Sequence, residues 1–186
     1  MTASPTSTHS TWIVLLRGIN VGRAKRVAMA DLRELLKSLA FANVRTVLQS
    51  GNALFTTASR GSAAAIEKAV TTAIDEQLGL DVKVVARTAP EFDAVVAANP
   101  FVPKGVDAKE LHVAFLGTAP PAAKVHGIDA TEFAPDGFVF GDRVIYLHRP
   151  NGVQGSTLPD WSRLLGVTVT ERNWNTVHRL HELLSK

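Results

Sequence analysis

The feature that constrains the fold most is the order in which strand-like and helix-like spacings of apolar residues follow one another along the first half of the chain. The nearly continuous apolar run Trp12–Arg17 is typical of a strand covered on both faces. Leucines then recur at the spacing of one helix face, so a helix follows the strand. The same reasoning predicts strands over 44–48 and 53–57, joined by a turn at Gln49–Asn52, and a second helix from an N-cap at Ser62 to Gly79. A strand over 81–85 completes the series.

This β-α-β-β-α-β order is that of the ferredoxin-like split βαβ arrangement. Right-handed crossovers then predict a four-stranded antiparallel sheet in the order 4-1-3-2, with both helices on one face. The protein is therefore expected to be α+β, with an N-terminal ferredoxin-like (βαββαβ) subdomain.

The second half is less regular and predicts a further α+β subdomain packed on the first. Thr88 and Glu91 resemble a capping box, which predicts a helix that stops at Asn99, before a proline. The other predicted elements are a strand over 111–116, a short helix opened by Pro120, a hairpin through Pro135–Gly137, a strand over 143–148, a helix over 158–165 and a terminal helix over 174–184. The expected organisation is a disordered tail over 1–11 and subdomains over 12–87 and 88–186, packed as one unit because no linker composition separates them.

Composition limits the classes of function. The 186 residues include no cysteine, which excludes disulfides and thiolate chemistry and fits a reducing cytoplasm. No apolar run reaches the ~18 residues of a membrane span, and Met1–Thr11 lacks the features of a signal peptide. Residues 1–87 hold 11 Lys and Arg against 6 Asp and Glu, whereas residues 88–186 hold 9 against 11. We therefore expect a cytoplasmic protein whose basic half could meet an anionic partner.

The segment Arg17–Arg26, which joins the first strand to the first helix, is a candidate anion site. It carries four basic side chains and no acidic one, and its glycines would let backbone N–H groups approach an anion. The glycine spacing matches neither a dinucleotide-binding fingerprint nor a Walker A loop. The candidate ligand contacts are Arg17, Asn20, Arg23, Lys25 and Arg26. The alternative is a surface loop whose charges are solvated.

The turn Gln49–Asn52 is a second candidate. In a ferredoxin-like order it emerges at the sheet end where the Arg17 loop begins, so the two should lie close together. Gln49, Ser50 and Asn52 could read hydrogen bonds on a polar ligand. Alternatively, the polar side chains only close the backbone of the turn.

A third polar segment, Thr170–Thr176, precedes the terminal helix. Asn173 is a suitable N-cap that could accept from the N–H of Thr176. The functional interpretation adds Arg172 as an anion contact, Trp174 as a stacking platform and Asn175 as a polar contact. The alternative is a well-capped helix anchored by a tryptophan.

Other chemistries have less support in the residue pattern. His178 and His181 are three apart on a helix, and His112 and His148 lie on separate strands that could bring them face to face, but neither pair has a third metal ligand. No Gly-x-Ser-x-Gly elbow supports a catalytic triad. Strand 53–57 offers only Phe55 and the first strand only Trp12, so the stacking platform of an RNA-recognition domain is absent. No metal and no cofactor are predicted.

Five motifs in order carry a family resemblance: Leu15–Gly22, Gln49–Asn52, Asn99–Phe101, Lys109–Leu116 and Thr170–Val177. Together they resemble domain-of-unknown-function family 1697, which is bacterial, from about Trp12 to the C-terminus. The resemblance implies two α+β subdomains, the first ferredoxin-like, and implies no activity. The chain departs from the family pattern at Arg23, where a second glycine is usual, and at Val47, where an aromatic is usual. Before the penultimate helix, the family pattern has a basic residue beside a serine. This chain has Gln154, Ser156 and Thr157 in that stretch.

These patterns together predict one site for an anionic ligand, either a nucleic acid or a phosphorylated small molecule. It would combine the Arg17–Arg26 loop, the Gln49–Asn52 turn and the Arg172–Thr176 segment. Two alternatives stay open: a small enzyme acting on a phosphorylated ligand, with a histidine or Ser50 at its centre, and a protein-interaction module. The sequence does not determine an oligomeric state.

Overall fold

The chain forms two compact units, one up to Ala89 and one from Pro90. The computed structural model describes residues 9–21, 25–58 and 61–184. Over these ranges it contains eight strands and six α-helices, and each unit holds one antiparallel four-stranded sheet. The mixed α+β class predicted from the sequence is therefore confirmed. None of the helices in these ranges is both long and apolar enough to cross a membrane.

The first unit contains the six predicted elements in the predicted order. They are β1 (Ser10–Leu16), α1 (Met29–Ser38), β2 (Ala42–Val47), β3 (Asn52–Thr57), α2 (Ala63–Leu78) and β4 (Val84–Thr88). The sheet order β2-β3-β1-β4 is the predicted 4-1-3-2 order read from the opposite edge. Ser62 caps α2 by accepting from the N–H of Ala65 at 3.2 Å, and Gly79 ends this helix with φ 64°.

One face of the first sheet packs against both helices. Trp12, Val14 and Leu16 alternate along β1 and share a buried cluster with Leu32 of α1 and Val70 of α2. Because residues two apart on a strand point to the same side, α1 and α2 cover the same face of the sheet. The apolar helix stripes read from the sequence thus form this core.

The second unit repeats the strand order of the first. Its elements are α3 (Ala89–Ala97, beginning one residue before the boundary), β5 (Leu111–Leu116), α4 (Ala122–His126), β6 (Gly137–Gly141), β7 (Val144–His148), α5 (Trp161–Leu165), β8 (Val169–Asn173) and α6 (Trp174–Leu184). The sheet order is β6-β7-β5-β8. The last residue of the first strand bonds to the hairpin turn in the same way in both units. The N–H of Leu16 donates to the carbonyl of Gly51 at 2.8 Å, and the N–H of Leu116 donates to the carbonyl of Arg143 at 2.9 Å. The two units therefore share one topology that no residue-level repeat reveals.

Two sequence predictions in the second unit are wrong. The hairpin through Pro135–Gly137 does not form; residues 130–133 make a 3₁₀ turn capped by Asp129, and the hairpin turn lies instead at Asp142–Arg143. Strand β8 has no predicted counterpart, because its Thr-Glu-Arg-Asn stretch lacks an apolar alternation. Pairing with β5 makes these polar residues a strand.

Some boundaries also differ from the predicted ones. β4 begins at Val84 rather than at residue 81. Val82 is buried although it precedes the strand, so the alternation of buried and exposed residues starts before the strand does. β1 includes Ser10 and Thr11, which were expected in the disordered tail, while residues 1–8 of that tail lie outside the described residues. α5 begins at Trp161 because the Asp160 side chain accepts from the N–H groups of Ser162 and Arg163.

Candidate functional site

The Arg17–Arg26 loop and the Gln49–Asn52 turn, both predicted from the sequence as parts of a site, lie at one end of the first sheet. β1 ends there, and β3 and β4 begin there, because Leu15 pairs with Asn52 and Leu16 pairs with Val84. The backbone N–H of Arg17 donates to the carbonyl of Lys83 at 2.8 Å. Antiparallel pairing thus brings together segments far apart in the sequence.

Asn20 holds the Arg17–Arg26 loop against the turn. Its Nδ2 donates to the carbonyls of Val27, at 2.9 Å, and Gln49, at 2.6 Å, and its Oδ1 accepts from the N–H of Val27 at 3.0 Å. Its φ of 55° is one that asparagine tolerates better than most residues. The loop and the turn therefore lie side by side, and in this structure the Asn20 side chain serves the loop itself.

Asn52 closes the Gln49–Asn52 turn. Its side chain is fully buried, and Nδ2 donates to the carbonyl of Val47 at 2.9 Å and to Ser50 Oγ at 3.0 Å. Gly51 adopts φ 74°, with its Cα facing Ile19 and Leu16. Gln49 and Ser50 are exposed. Of the three polar residues predicted here, these two present their side chains at the surface.

We call Arg17, Lys25, Arg26 and Lys83, together with Asp81, the basic end. Lys25 Nζ donates to the backbone carbonyl of Asp81 at 2.5 Å, and Lys83 Nζ lies 3.1 Å from Asp81 Oδ1. The hydrogen bond from Lys83, then the positive charge of Lys83, lower the pKa of Asp81. Lys83 therefore contacts the Asp81 carboxylate and Lys25 its backbone carbonyl, while Arg17 is joined to Lys83 through the backbone. The predicted contact Arg23 lies outside the described residues.

Lys83 was missed in the sequence because α2 separates it from the Arg17 loop. A signal was available: Val82 and Val84 are buried while Lys83 is exposed, so an apolar-basic-apolar alternation leads into β4. Only the antiparallel β1–β4 pairing shows that Lys83 lies beside Arg17.

The third predicted segment lies in the second unit, on β8 and α6. Arg172 is buried, and its Nη1 donates to Thr170 Oγ1 and to the carbonyl of Glu171, both at 2.8 Å. Burial lowers the pKa of Arg172 to about 10, although Glu171 opposes the shift, so the guanidinium stays charged at neutral pH. Trp174 is 8% exposed, which leaves little ring surface for stacking, and Asn175 is exposed. Ligand roles for these three residues stay predictions.

Asn173 caps α6, as its position predicts. Its Oδ1 accepts from the N–H of Thr176 at 2.8 Å. Replacing Asn173 with alanine is expected to cost ~0.5–2 kcal/mol of unfolding free energy, because the first turn loses its side-chain acceptor. Urea unfolding measures the cost, and Asn175→Ala, at an exposed position two residues on, is the matched control. A loss no larger than that of the control would contradict the cap.

A separate buried charged cluster lies in the second unit. The Arg149 guanidinium donates to the Glu171 carboxylate and, at 3.1 Å, to Ser156 Oγ. His112 shares the sheet face of these residues, is 9% exposed, and has no partner for Nδ1 among the described residues. Burial lowers the pKa of His112 below its ordinary 6.5, and the Glu171 charge opposes that shift.

The suggestion that His112 and His148 face each other is wrong. The register pairs His148 with Leu111 and His112 with Leu147, so the two rings lie on opposite faces of the sheet. His148 Nε2 instead lies 2.9 Å from Glu110 Oε2.

The fold and the basic end define an α+β protein with two antiparallel four-stranded sheets, the first ending in a cationic cluster. The chain belongs to the family described as "Protein of unknown function (DUF1697)", which matches residues 9–146. That match contains the Arg17 loop and the Gln49 turn and stops before the Arg172 segment.

A solved structure supports the fold over nearly the whole chain. The conserved bacterial protein SP0830 from Streptococcus pneumoniae aligns with a TM-score of 0.74 and 21% identity, covering 95% of this chain and 99% of that one. At this identity the likeness shows the fold alone. No curated protein matches the sequence significantly.

Proposed function

We propose that this protein binds a phosphate-bearing anion, a nucleic acid or a phosphorylated small molecule, at the basic end of its first unit. The observation that carries the proposal is that the strand pairing brings Lys83 beside the Arg17 loop at one end of a sheet, where Lys25 and Lys83 both contact Asp81. Lys25, Arg26 and Lys83 are exposed and Arg17 is half-buried. Clustered cations raise the local concentration of an anionic ligand and favour its approach.

The braced loop supports the same proposal. Asn20 bonds to both Val27 and Gln49, so part of the entropy cost of ordering the two ends of this loop beside the turn is met before a ligand binds. Arginine suits phosphate because its planar guanidinium donates two parallel hydrogen bonds. The exposed Gln49 and Ser50 would add neutral hydrogen bonds beside the charges. The proposal rests on the first unit alone.

We further propose that this first unit is ferredoxin-like and that the protein works in the cytoplasm. The strand order β2-β3-β1-β4 and the packing of α1 and α2 against Val14 of β1 support the first point. The cysteine-free composition of the sequence supports the second.

The test uses Arg17→Ala and the control Arg163→Ala, an exposed arginine on α5 in the second unit. Fluorescence anisotropy with short single-stranded oligonucleotides, and thermal shift with mononucleotides, cover the two ligand classes. Arg17→Ala is expected to weaken binding by ~1.5–3 kcal/mol, more than tenfold in Kd, because a charge-assisted contact is lost. Its Tm without ligand should stay close to that of the wild type.

Salt dependence then distinguishes the ligand classes. Binding to a nucleic acid backbone should weaken steeply and linearly in log salt, with a smaller slope for Arg17→Ala. The proposal is wrong if no anion changes the Tm or anisotropy of the wild type, or if Arg17→Ala responds as Arg163→Ala does. A lowered Tm in Arg17→Ala with unchanged ligand response would mean that Arg17 only braces the loop.

A further inference from the structure

The edge strand β6 has a sequence that reads the same in both directions. It is Gly137-Phe-Val-Phe-Gly141, with Val139 at its centre. β6 forms one edge of the second sheet and pairs with β7. The five residues include no charged side chain and no proline, which are the usual means by which proteins protect an exposed edge.

The hairpin register shows which backbone groups of β6 point outward. The two-residue turn at Asp142–Arg143 makes Gly141 and Val144 the first hydrogen-bonded pair. Pairs then alternate, so Val139 and Gly137 also bond to β7, while the N–H and C=O groups of Phe138 and Phe140 point away from it. Within the described residues, no hydrogen bond is made to these four outward groups.

The corresponding edge strand of the first unit, β2, is protected. Its register shifts between Ala42 and Arg45, and Asn43 lies in the bulge with φ 54°. Asn43 Nδ2 donates to Thr56 Oγ1 at 3.0 Å, and Arg45 is an exposed charge on the strand. Because bulges and charges discourage pairing with another strand, the same topology carries one protected edge and one open edge.

We propose that β6 is a homodimer interface, at which two copies of the chain join their second sheets by antiparallel pairing about Val139. A twofold axis at Val139 places Phe138 opposite Phe140 of the other copy. The outward groups of Phe138 and Phe140 then exchange four backbone hydrogen bonds, in the pattern that an antiparallel ladder requires. The palindrome makes this pairing self-complementary, which favours a second copy over an unrelated strand.

Apolar surface beside β6 adds to this interface. The rings of Phe138 and Phe140 both contact Trp161 of α5, at centroid distances of 4.9 and 5.7 Å, and both are only half-buried. Leu164, one turn further along α5, is 40% exposed, as is Val139. Since a twofold axis perpendicular to the sheet keeps α5 of both copies on one side, this surface continues across the join.

Charge substitutions at Val139 test the proposal without disturbing the core. At the axis, residue 139 directly faces residue 139 of the other copy, with Cα atoms about 4.5 Å apart. Two lysines or two glutamates there repel each other, whereas one of each attract. The control Val139→Thr keeps a β-branched, uncharged side chain at this position.

Light scattering coupled to size-exclusion chromatography reads the oligomeric state, and circular dichroism confirms that each variant is folded. We expect a dimer for the wild type and Val139→Thr, monomers for Val139→Lys and Val139→Glu alone, and a dimer when the last two are mixed. A monomeric wild type overturns the proposal, as does a Val139→Lys dimer or a mixture that stays monomeric. A monomer that captures an extended apolar peptide along β6 would assign the edge to a different occupant.

Discussion

Replacing Gly51 with alanine is expected to destabilise the protein by about 2–5 kcal/mol. Gly51 adopts φ 74°, which costs an L-residue roughly 1–2 kcal/mol. A Cβ there would lie 2.7 Å from both Ile19 Cδ1 and Leu16 Cβ, so the loop must shift, and overpacking of this kind costs typically about 1–3 kcal/mol. Urea unfolding with an unchanged m-value measures the loss.

Gly18→Ala is the matched control for the crowding at Gly51. Gly18 adopts φ 65°, close to that of Gly51, but among the described residues other than its two chain neighbours no atom lies within 4 Å of its added Cβ. It should therefore lose only the backbone part, roughly 1–2 kcal/mol. Equal losses of unfolding free energy in the two variants would show that crowding against Ile19 and Leu16 adds no cost at Gly51. Since Ile19 belongs to the Arg17 loop, Gly51→Ala should also weaken anion binding, whereas Gly18→Ala should weaken it less.

Replacing Glu171 with methionine is expected to cost about 3 kcal/mol. The change leaves the Arg149 charge buried, with Ser156 as the one remaining partner of its guanidinium among the described residues, and breaking a buried ion pair costs about 3–5 kcal/mol. The lower part of that range applies because 29% of the Glu171 side chain is exposed, which lets water reach the guanidinium. Chemical unfolding at neutral pH measures the effect.

The double variant Arg149→Met/Glu171→Met distinguishes an unpaired charge from lost packing. It removes both charges, and apolar replacement of a whole buried ion pair is often neutral or stabilising. We expect it to be more stable than Glu171→Met alone. A double variant less stable than the single one would mean that Arg149 contributes through contacts other than this ion pair.

The first unit could be predicted closely because its signals are local. α2 spans four turns with one apolar stripe, a Ser62 cap and a Gly79 stop, and each signal lies within the element itself. The strand order followed from the succession of these elements and the handedness of their connections. β8 could not be predicted in this way, since Thr170, Glu171 and Arg172 form a strand only through pairing with β5.

The candidate site was predicted less completely than the fold. The basic character of the Arg17 loop is contiguous in the sequence, so its charges were visible there. The roles of Asn20 and Asn52 were not visible in the sequence. Each side chain donates to backbone carbonyls, but a side chain of this type could equally have bonded to a ligand. Lys83 joins the basic end only through the β1–β4 pairing.

The sequence by itself determined the class of fold, the order of strands in the first unit and the caps of α2 and α6. Each of these depends on a hydrophobic period or a side chain bonding within a few residues of itself. The tertiary structure alone decided which charges share one end of a sheet, that His112 and His148 lie on opposite faces, and that β6 is open where β2 is bulged. Those features depend on register between distant strands, and a shift of one residue in register moves every side chain to the other face.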